Sequence, residues 1–187
     1  MVSKYTDAEE IAKFSSLYKD WWKNDGAFGA LHKLTPARMH FIRQALRHFV
    51  KHDSKIPQTF AGLSILDVGC GVAHLHTYLK EQGWNGKYLG IDPNEKAIDL
   101  IDEEIKAVHC TIEDLGKETK WDWVVANGVF NLGLKEENVF WIIENMISHA
   151  NKGIIFNMLQ EPYPDDMYEA YNPKWIKFRL QKYDHRK

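Results

Sequence analysis

One short run, Leu66-Asp67-Val68-Gly69-Cys70-Gly71-Val72-Ala73, holds the residue types best placed to do chemistry. Gly69 and Gly71 let the backbone turn tightly and let a ligand approach it closely. Ala73 keeps a third position small, which allows a following helix to pack close to the preceding strand. Asp92 stands about 20 residues further on, where an acid can hold a ribose, and Pro93 follows it. A glycine pattern alone is weak. Here an apolar run precedes it, a helical stretch follows it, and the downstream acid fits. A strand–turn–helix with no ligand is the competing reading.

The loop also discriminates between ligands. A dinucleotide site usually carries its glycines as GxGxxG, to cradle a pyrophosphate. Here the pattern is Asp-x-Gly-x-Gly-x-Ala. An acid beside the loop repels phosphate, but it can accept from an amino group, directly or through water. S-adenosylmethionine has a ribose, an ammonium and no phosphate, and matches that chemistry.

These residues must be positioned by regular elements. From Leu63 onward, short apolar runs alternate with helical stretches. The strand candidates are 63–68, 87–91, 107–110, 123–126 and 153–156, and the clearest helices are 73–82, 94–104 and 136–150. Buried-looking strands alternating with helices indicate a parallel sheet covered on both faces. With right-handed crossovers this predicts a doubly wound, mostly parallel α/β sheet, shortened at the C-terminus if no late hairpin completes it. Residues 175–183 alternate enough for one strand, but Asn172-Pro173 is a helix start, and the helix is favoured.

Upstream, Thr6-Asp7-Ala8-Glu9 fits a capping box. Ile11, Phe14, Tyr18 and Trp21 or Trp22 follow at helical spacing. Residues 24–34 are glycine-containing and loop-like. Thr35-Pro36 is expected to start a second helix, with Thr35 as cap, Pro36 in the first turn and Met39, Ile42, Leu46, Phe49 and Val50 as its apolar face. Residues 51–62, with Pro57, form a polar connection. The N-terminal helices are expected at the carboxyl edge of the sheet, where ligands bind.

The chain has 187 residues and a formal net charge of −2. One domain with a real core is expected. No broad attraction to nucleic acid is expected. The two cysteines, Cys70 and Cys110, lack zinc spacing, so a structural disulfide is not expected and a reducing cytosol is the simplest compartment. No apolar run approaches the roughly 20 residues that span a bilayer, and the polar, acidic residues 1–10 do not read as a signal or transit peptide.

Asp67 to Ala73 resembles motif I of class I S-adenosylmethionine-dependent methyltransferases. The N-terminal third, with Glu10-Ile11-Ala12-Lys13-Phe14, Trp21-Trp22, Gly26-Ala27-Phe28, Leu31-His32 and Pro36-Ala37-Arg38, is similar to ubiquinone-biosynthesis O-methyltransferases. The resemblance implies a Rossmann-like core over residues 63–187, with residues 1–62 as a helical lid on the substrate side, one structural domain overall. It implies cofactor contacts from Arg38, Gly69, Asp92 and Asn127, and an adenine flank at Thr111-Ile112-Glu113. Asp67, Cys70, Gly71 and Pro93 complete the candidate cofactor site. A small-molecule O or N nucleophile is the expected acceptor, with a non-catalytic cofactor-binding module as the alternative.

The family's two glutamates and histidine after the fourth strand are replaced by Asn127-Gly128-Val129-Phe130-Asn131-Leu132, so no metal is expected. That stretch also faintly resembles the Asn-Pro-Pro-Phe loop of base-directed amino-methyltransferases, without the prolines. His32, in the segment similar to the family's lid, reads as a general base for a hydroxyl proton or as a solvated loop histidine. His74 and His76 open the helix after the glycine loop and read first as cap or surface residues. Trp21, Trp22 and Phe130 could face a sulfonium or simply pack. Asp102-Glu103-Glu104 reads as a solvated helix end.

Overall fold

A computed structural model describes residues 8–17, 23, 25–26, 28–49, 62–131, 134–158 and 171–183. Its centre is a five-stranded sheet of β1 (Ile65–Val68), β2 (Tyr88–Asp92), β3 (Ala107–His109), β4 (Trp121–Ala126) and β5 (Ala150–Phe156), in the order β3-β2-β1-β4-β5. Every pairing is parallel. β1 and β2 are buried at every position, as expected of central strands covered on both faces.

The helices divide between those faces. Along β1, Ile65 and Leu66 point to opposite sides. Ile65, with Trp123 and Val125, packs against Met39, Ile42 and Leu46 of α2 (Gly29–Phe49) and Leu75 and Leu79 of α3 (His74–Glu81). Leu66, with Val124 and Ala126, packs against Val139, Phe140, Ile143 and Met146 of α5 (Glu136–His149) and Ile176 of α6 (Pro173–Leu180). Met39, Ile42 and Leu46 lie one helical face apart and are at most 2% exposed. Truncating such a residue, as in Leu46→Ala, costs about 2–5 kcal/mol. Asn172 caps α6 by accepting from the Lys174 N–H at 2.9 Å, with Pro173 in the first turn, which matches the favoured helix. The remaining helices are α1 (Ala8–Leu17) and the short α4 (Glu95–Ile98).

The sequence expectations need three corrections. α2 starts at Gly29, so Thr35 is not its cap and Pro36 lies inside it. Gly26 and Gly29 suggested a loop, but the chain is helical from Gly29 and keeps helical geometry through the proline, which removes one backbone bond. α4 stops at Ile98 instead of reaching Glu104. Asp99, Asp102, Glu103 and Glu104 would place negative charge at a helix C-terminus, which the helix dipole disfavours, and Asp102 instead accepts from the Glu104 N–H at 2.9 Å. β5 begins at Ala150 rather than Gly153, and β4 at Trp121 rather than Trp123. A register shift between Trp121 and Trp123 lets Trp121 pair with Ala150.

At the amino ends of the strands, Asp122 ties three of them together. Its carboxylate accepts from the Ser64 N–H at 2.8 Å and the Ser64 hydroxyl at 3.0 Å. The Asp122 N–H donates to Ser64 Oγ at 2.8 Å, and Lys152 pairs with the same acid at 2.8 Å. The carboxyl ends of β1 and β4, where the strand order reverses, are left to the site.

Candidate functional site

The loop leaving β1 alternates left-handed residues: Gly69 at φ 65°, Gly71 at φ 54° and Ala73 at φ 60°. Ala73 is the costly one, since a side chain there strains the backbone by roughly 1–2 kcal/mol. The Gly69 and Cys70 N–H groups both donate to the Ile91 carbonyl, at 2.8 and 3.0 Å, which ties the loop to the end of β2. A Cβ on Gly69 would lie 2.5 Å from Val129 Cγ2, so the loop after β4 packs directly on the glycine turn. Among the described residues, a Cβ on Gly71 would meet nothing within 4 Å. The turn at Gly71 thus leaves the room that close ligand approach requires, a cradle for the ligand.

Asp92 closes one side of that cradle. It is 8% exposed. One carboxylate oxygen accepts from the Gly71 N–H at 2.9 Å, the other from the Asn94 N–H at 2.8 Å. Burial raises its pKa, the two N–H bonds oppose that, and the balance stays above the usual carboxylate range. Pro93 is the bridge between Asp92 and Asn94. The Ser15 hydroxyl donates to Asn94 Oδ1 at 3.0 Å, and Asn94 Nδ2 donates to the Ile11 carbonyl at 3.4 Å. α1 is thereby bonded to the carboxyl end of β2. Sequence reading placed Asn94 only as a helix start; its hold on α1 spans most of the N-terminal half and leaves no local signal.

The other side is built after β4. Gly128 has φ 86°, and a Cβ there would lie 3.3 Å from Arg38 Nη1. The guanidinium thus rests against the residue that follows Asn127. Arg38 lies in the middle of α2, not in a first turn, so no helix N-terminus adds its potential there. Asn157, just past β5, accepts from the Gly128 N–H through Oδ1 at 2.7 Å and donates through Nδ2 to Asn127 Oδ1 at 2.7 Å. Asn157 was not foreseen. α1 reaches the carboxyl end of β2 through Asn94, and Arg38 of α2 reaches Gly128. The rest of α2, with Met39, Ile42 and Leu46, covers one face of the sheet instead of sitting at its carboxyl edge as expected.

Asp67 lies beneath the loop and is 2% exposed. The Tyr88 hydroxyl donates to it at 2.8 Å. Burial pushes its carboxyl up to about 7 against the pull of the Tyr88 bond, with the Asp92 charge adding to the rise. Cys70 is buried, and burial followed by the charges of Asp67 and Asp92 keeps its thiol protonated. The His32 and His74 rings meet edge to face, with centroids 5.9 Å apart. Burial, then His32, lowers the pKa of His74. His76 packs on Tyr88 at 4.9 Å and on Trp84 at 5.9 Å. All three histidines lie on or beside the α2–α3 side of the sheet.

Thr111 caps a short 3-10 turn, Ile112–Asp114, through its N–H and hydroxyl to Asp114 Oδ2, both at 2.8 Å. The Cys110 N–H reaches the Asp92 carbonyl at 3.2 Å, which brings this turn beside Asp92. Ile112 is 3% exposed and part of the core, and Glu113 is half-buried. Phe130 is fully buried, edge to face with Phe156 at 5.5 Å, so it packs rather than lining an opening. Thr6, Asp7, Tyr18, Trp21, Trp22, Ala27 and residues 50–61 lie outside the described residues. Among the described residues, no group of three or more His, Cys, Asp or Glu could hold a metal ion, and no helix is long and apolar enough to cross a membrane.

A five-stranded parallel sheet of order β3-β2-β1-β4-β5, with a glycine turn after β1 and an acid at the end of β2, is the architecture of a Rossmann-like, class I methyltransferase fold. Residues 59–170 match the model of a methyltransferase domain family, and the chain belongs to that family. It is 32% identical over 152 residues to a ubiquinone biosynthesis O-methyltransferase of Rickettsia akari, a match covering 76% of this chain and 55% of that protein. The chain thus spans about half the length of such curated relatives. Its fold is similar to magnesium protoporphyrin IX methyltransferase of Synechocystis, solved with bound SAH (TM-score 0.65, 16% identity, 91% of this chain and 83% of that one). It is likewise similar to DhpI in its SAM–HEP complex (TM-score 0.66, 10% identity, 98% and 91% covered).

Proposed function

We propose that the protein binds S-adenosylmethionine across this crevice and directs its methyl to an oxygen or nitrogen of a small molecule. The glycine turn carries the reading: among the described residues a Cβ on Gly71 would meet nothing within 4 Å, Asp92 is bonded to that turn, and the loop after β4 that packs on Gly69 places Gly128 against Arg38. The residues suit the ligand. A ribose diol needs an ionised acceptor, which Asp92 is placed to be. An amino-acid carboxylate needs a guanidinium fork, which Arg38 supplies. The ammonium is matched by Asp67, beneath the turn. Gly69, Cys70 and Gly71 form the floor, Pro93 and Thr111-Ile112-Glu113 flank the adenine, and Asn127 flanks the amino-acid end.

The bound cofactor supplies an electrophilic methyl on a sulfonium. The chain supplies alignment and dryness, which are worth several kcal/mol when reacting atoms are held in line. Residues 1–62 act as a lid over the core of residues 63–187, anchored by Ser15 on Asn94 and Arg38 on Gly128. His32, whose ring meets His74, is the candidate base for the acceptor's proton.

Calorimetry with S-adenosylmethionine and S-adenosylhomocysteine tests the binding; saturable binding of both is expected, and binding of neither would overturn the proposal. Mass-spectrometric detection of methylated phenols, carboxylic acids and amines from a metabolite panel then tests transfer. Binding without any turnover would favour a non-catalytic cofactor-binding module, a reading favoured by the lack of acids in residues 127–132.

A further inference from the structure

The contacts of Asn157 fix which atom of Asn127 is offered to the crevice. The Gly128 N–H can only donate, so the Asn157 atom that meets it at 2.7 Å is Oδ1. The other end of the Asn157 amide is then Nδ2, which can only donate. The Asn127 atom it meets at 2.7 Å must be an acceptor, Oδ1. Asn127 therefore has its carbonyl turned to Asn157 and its Nδ2 turned away. One backbone N–H thus sets the sense of two side-chain amides in series. The half-buried Asn127 is left with an N–H2 group as its free face, next in sequence to the glycine on which the Arg38 guanidinium rests.

We propose that Asn157 is a positioning residue for the ligand. It holds Asn127 so that an amide donor, together with the Arg38 fork, meets the amino-acid carboxylate of the cofactor. This rests on the binding reading above. Two donor groups on neighbouring positions suit a carboxylate, whereas a carbonyl oxygen presented there would repel one.

The test compares two ligands and two variants. S-adenosylhomocysteine carries the amino-acid end; methylthioadenosine has the same nucleoside and no carboxylate. Asn157→Asp can still accept from Gly128 but has no hydrogen to give, so the Asn127 amide turns over and presents Oδ1. Asn157→Ala leaves Asn127 without direction. At about 1 M salt the added charge is screened in part, less at this half-buried site than at a surface, and the uncharged Asn157→Ala reports the loss of direction without it. At that salt, Asn157→Asp is expected to weaken S-adenosylhomocysteine about tenfold, as loss of one charge-assisted hydrogen bond predicts. Asn157→Ala is expected to weaken it less, and methylthioadenosine affinity is expected to stay unchanged in both. In the wild type, the Asn127 side-chain amide resonances are expected to move with S-adenosylhomocysteine and not with methylthioadenosine. Equal weakening of both ligands by both variants would show a structural role only and overturn the proposal. So would unchanged affinities. Failure of the wild type to bind either ligand would instead overturn the underlying binding reading.

Discussion

Gly71 donates its backbone N–H to the Asp92 carboxylate at 2.9 Å, so the acid at the end of β2 holds the glycine turn in place while it faces the crevice. Its second oxygen is committed to the Asn94 N–H at 2.8 Å. Asp92→Ala is therefore expected to weaken S-adenosylmethionine by roughly tenfold or more, since charge-assisted hydrogen bonds are worth about 1.5–3 kcal/mol each. Asp92→Asn is expected to do nearly as badly, because an amide has one acceptor for two backbone donors. Calorimetry giving either variant wild-type affinity would contradict this assignment.

Arg38 and Gly128 make a paired prediction. Arg38→Ala is expected to weaken cofactor binding and leave folding largely intact, with Arg38→Lys a partial rescue, since lysine lacks the fork. Gly128→Ala is expected to cost about 1–2 kcal/mol of stability from its φ of 86° alone, and to displace Arg38, whose Nη1 would lie 3.3 Å from the new Cβ. Thermal melts and calorimetry read the two effects separately. Hydrogen exchange over α1 and α2 is expected to slow when cofactor binds. Unchanged exchange combined with normal binding by Arg38→Ala would dismiss the lid.

Asp67 makes stability fall with rising pH. Its folded-state pKa of about 7 lies above the ordinary 3.8, so the native state binds the proton more tightly. The resulting stabilisation is complete below about pH 4 and is lost as pH rises through 7. Asp67→Asn keeps an acceptor for Tyr88 and has no proton to lose. The stability of the wild type relative to this variant is expected to decline from pH 5 to pH 8, and a constant difference would refute the point. Cofactor binding is expected to release a proton near pH 7, because the ligand's ammonium favours ionised Asp67. Calorimetry in buffers of different ionisation enthalpy measures that release.

Methyl transfer is expected to be independent of divalent metal, because Asn127-Gly128-Val129-Phe130-Asn131-Leu132 carries no acid. Activity abolished by a chelator and restored by magnesium would reverse this expectation.

The sheet was legible because its signals are local. Each buried strand is a short apolar run, and the turn at Gly69 and Gly71 follows directly from residue type. Asn172-Pro173 likewise declared its helix. The start of α2 was not legible: Gly26, Gly29 and Pro36 are breakers by propensity, and the burial of Phe28, Met39, Ile42 and Leu46 outweighs them. α4 was overread because Asp99, Asp102, Glu103 and Glu104, which disfavour a helix C-terminus, lie within the stretch read as helix. Asn157 and Asn94 were missed as parts of the site because their partners are distant in sequence: Asn127 and Gly128 for one, Ile11 and Ser15 for the other.

Asp122 joins Ser64 and Lys152 at the end of the sheet remote from the crevice. Strand alignment is therefore anchored where no ligand goes, and the opposite rim is free to vary. Substitutions at Asn127, Gly128 or Asn157 therefore act on the grip at the rim without unfastening the strands that carry it. A variant that loses ligand there keeps its sheet in register, and Asp122 is the bolt to leave alone.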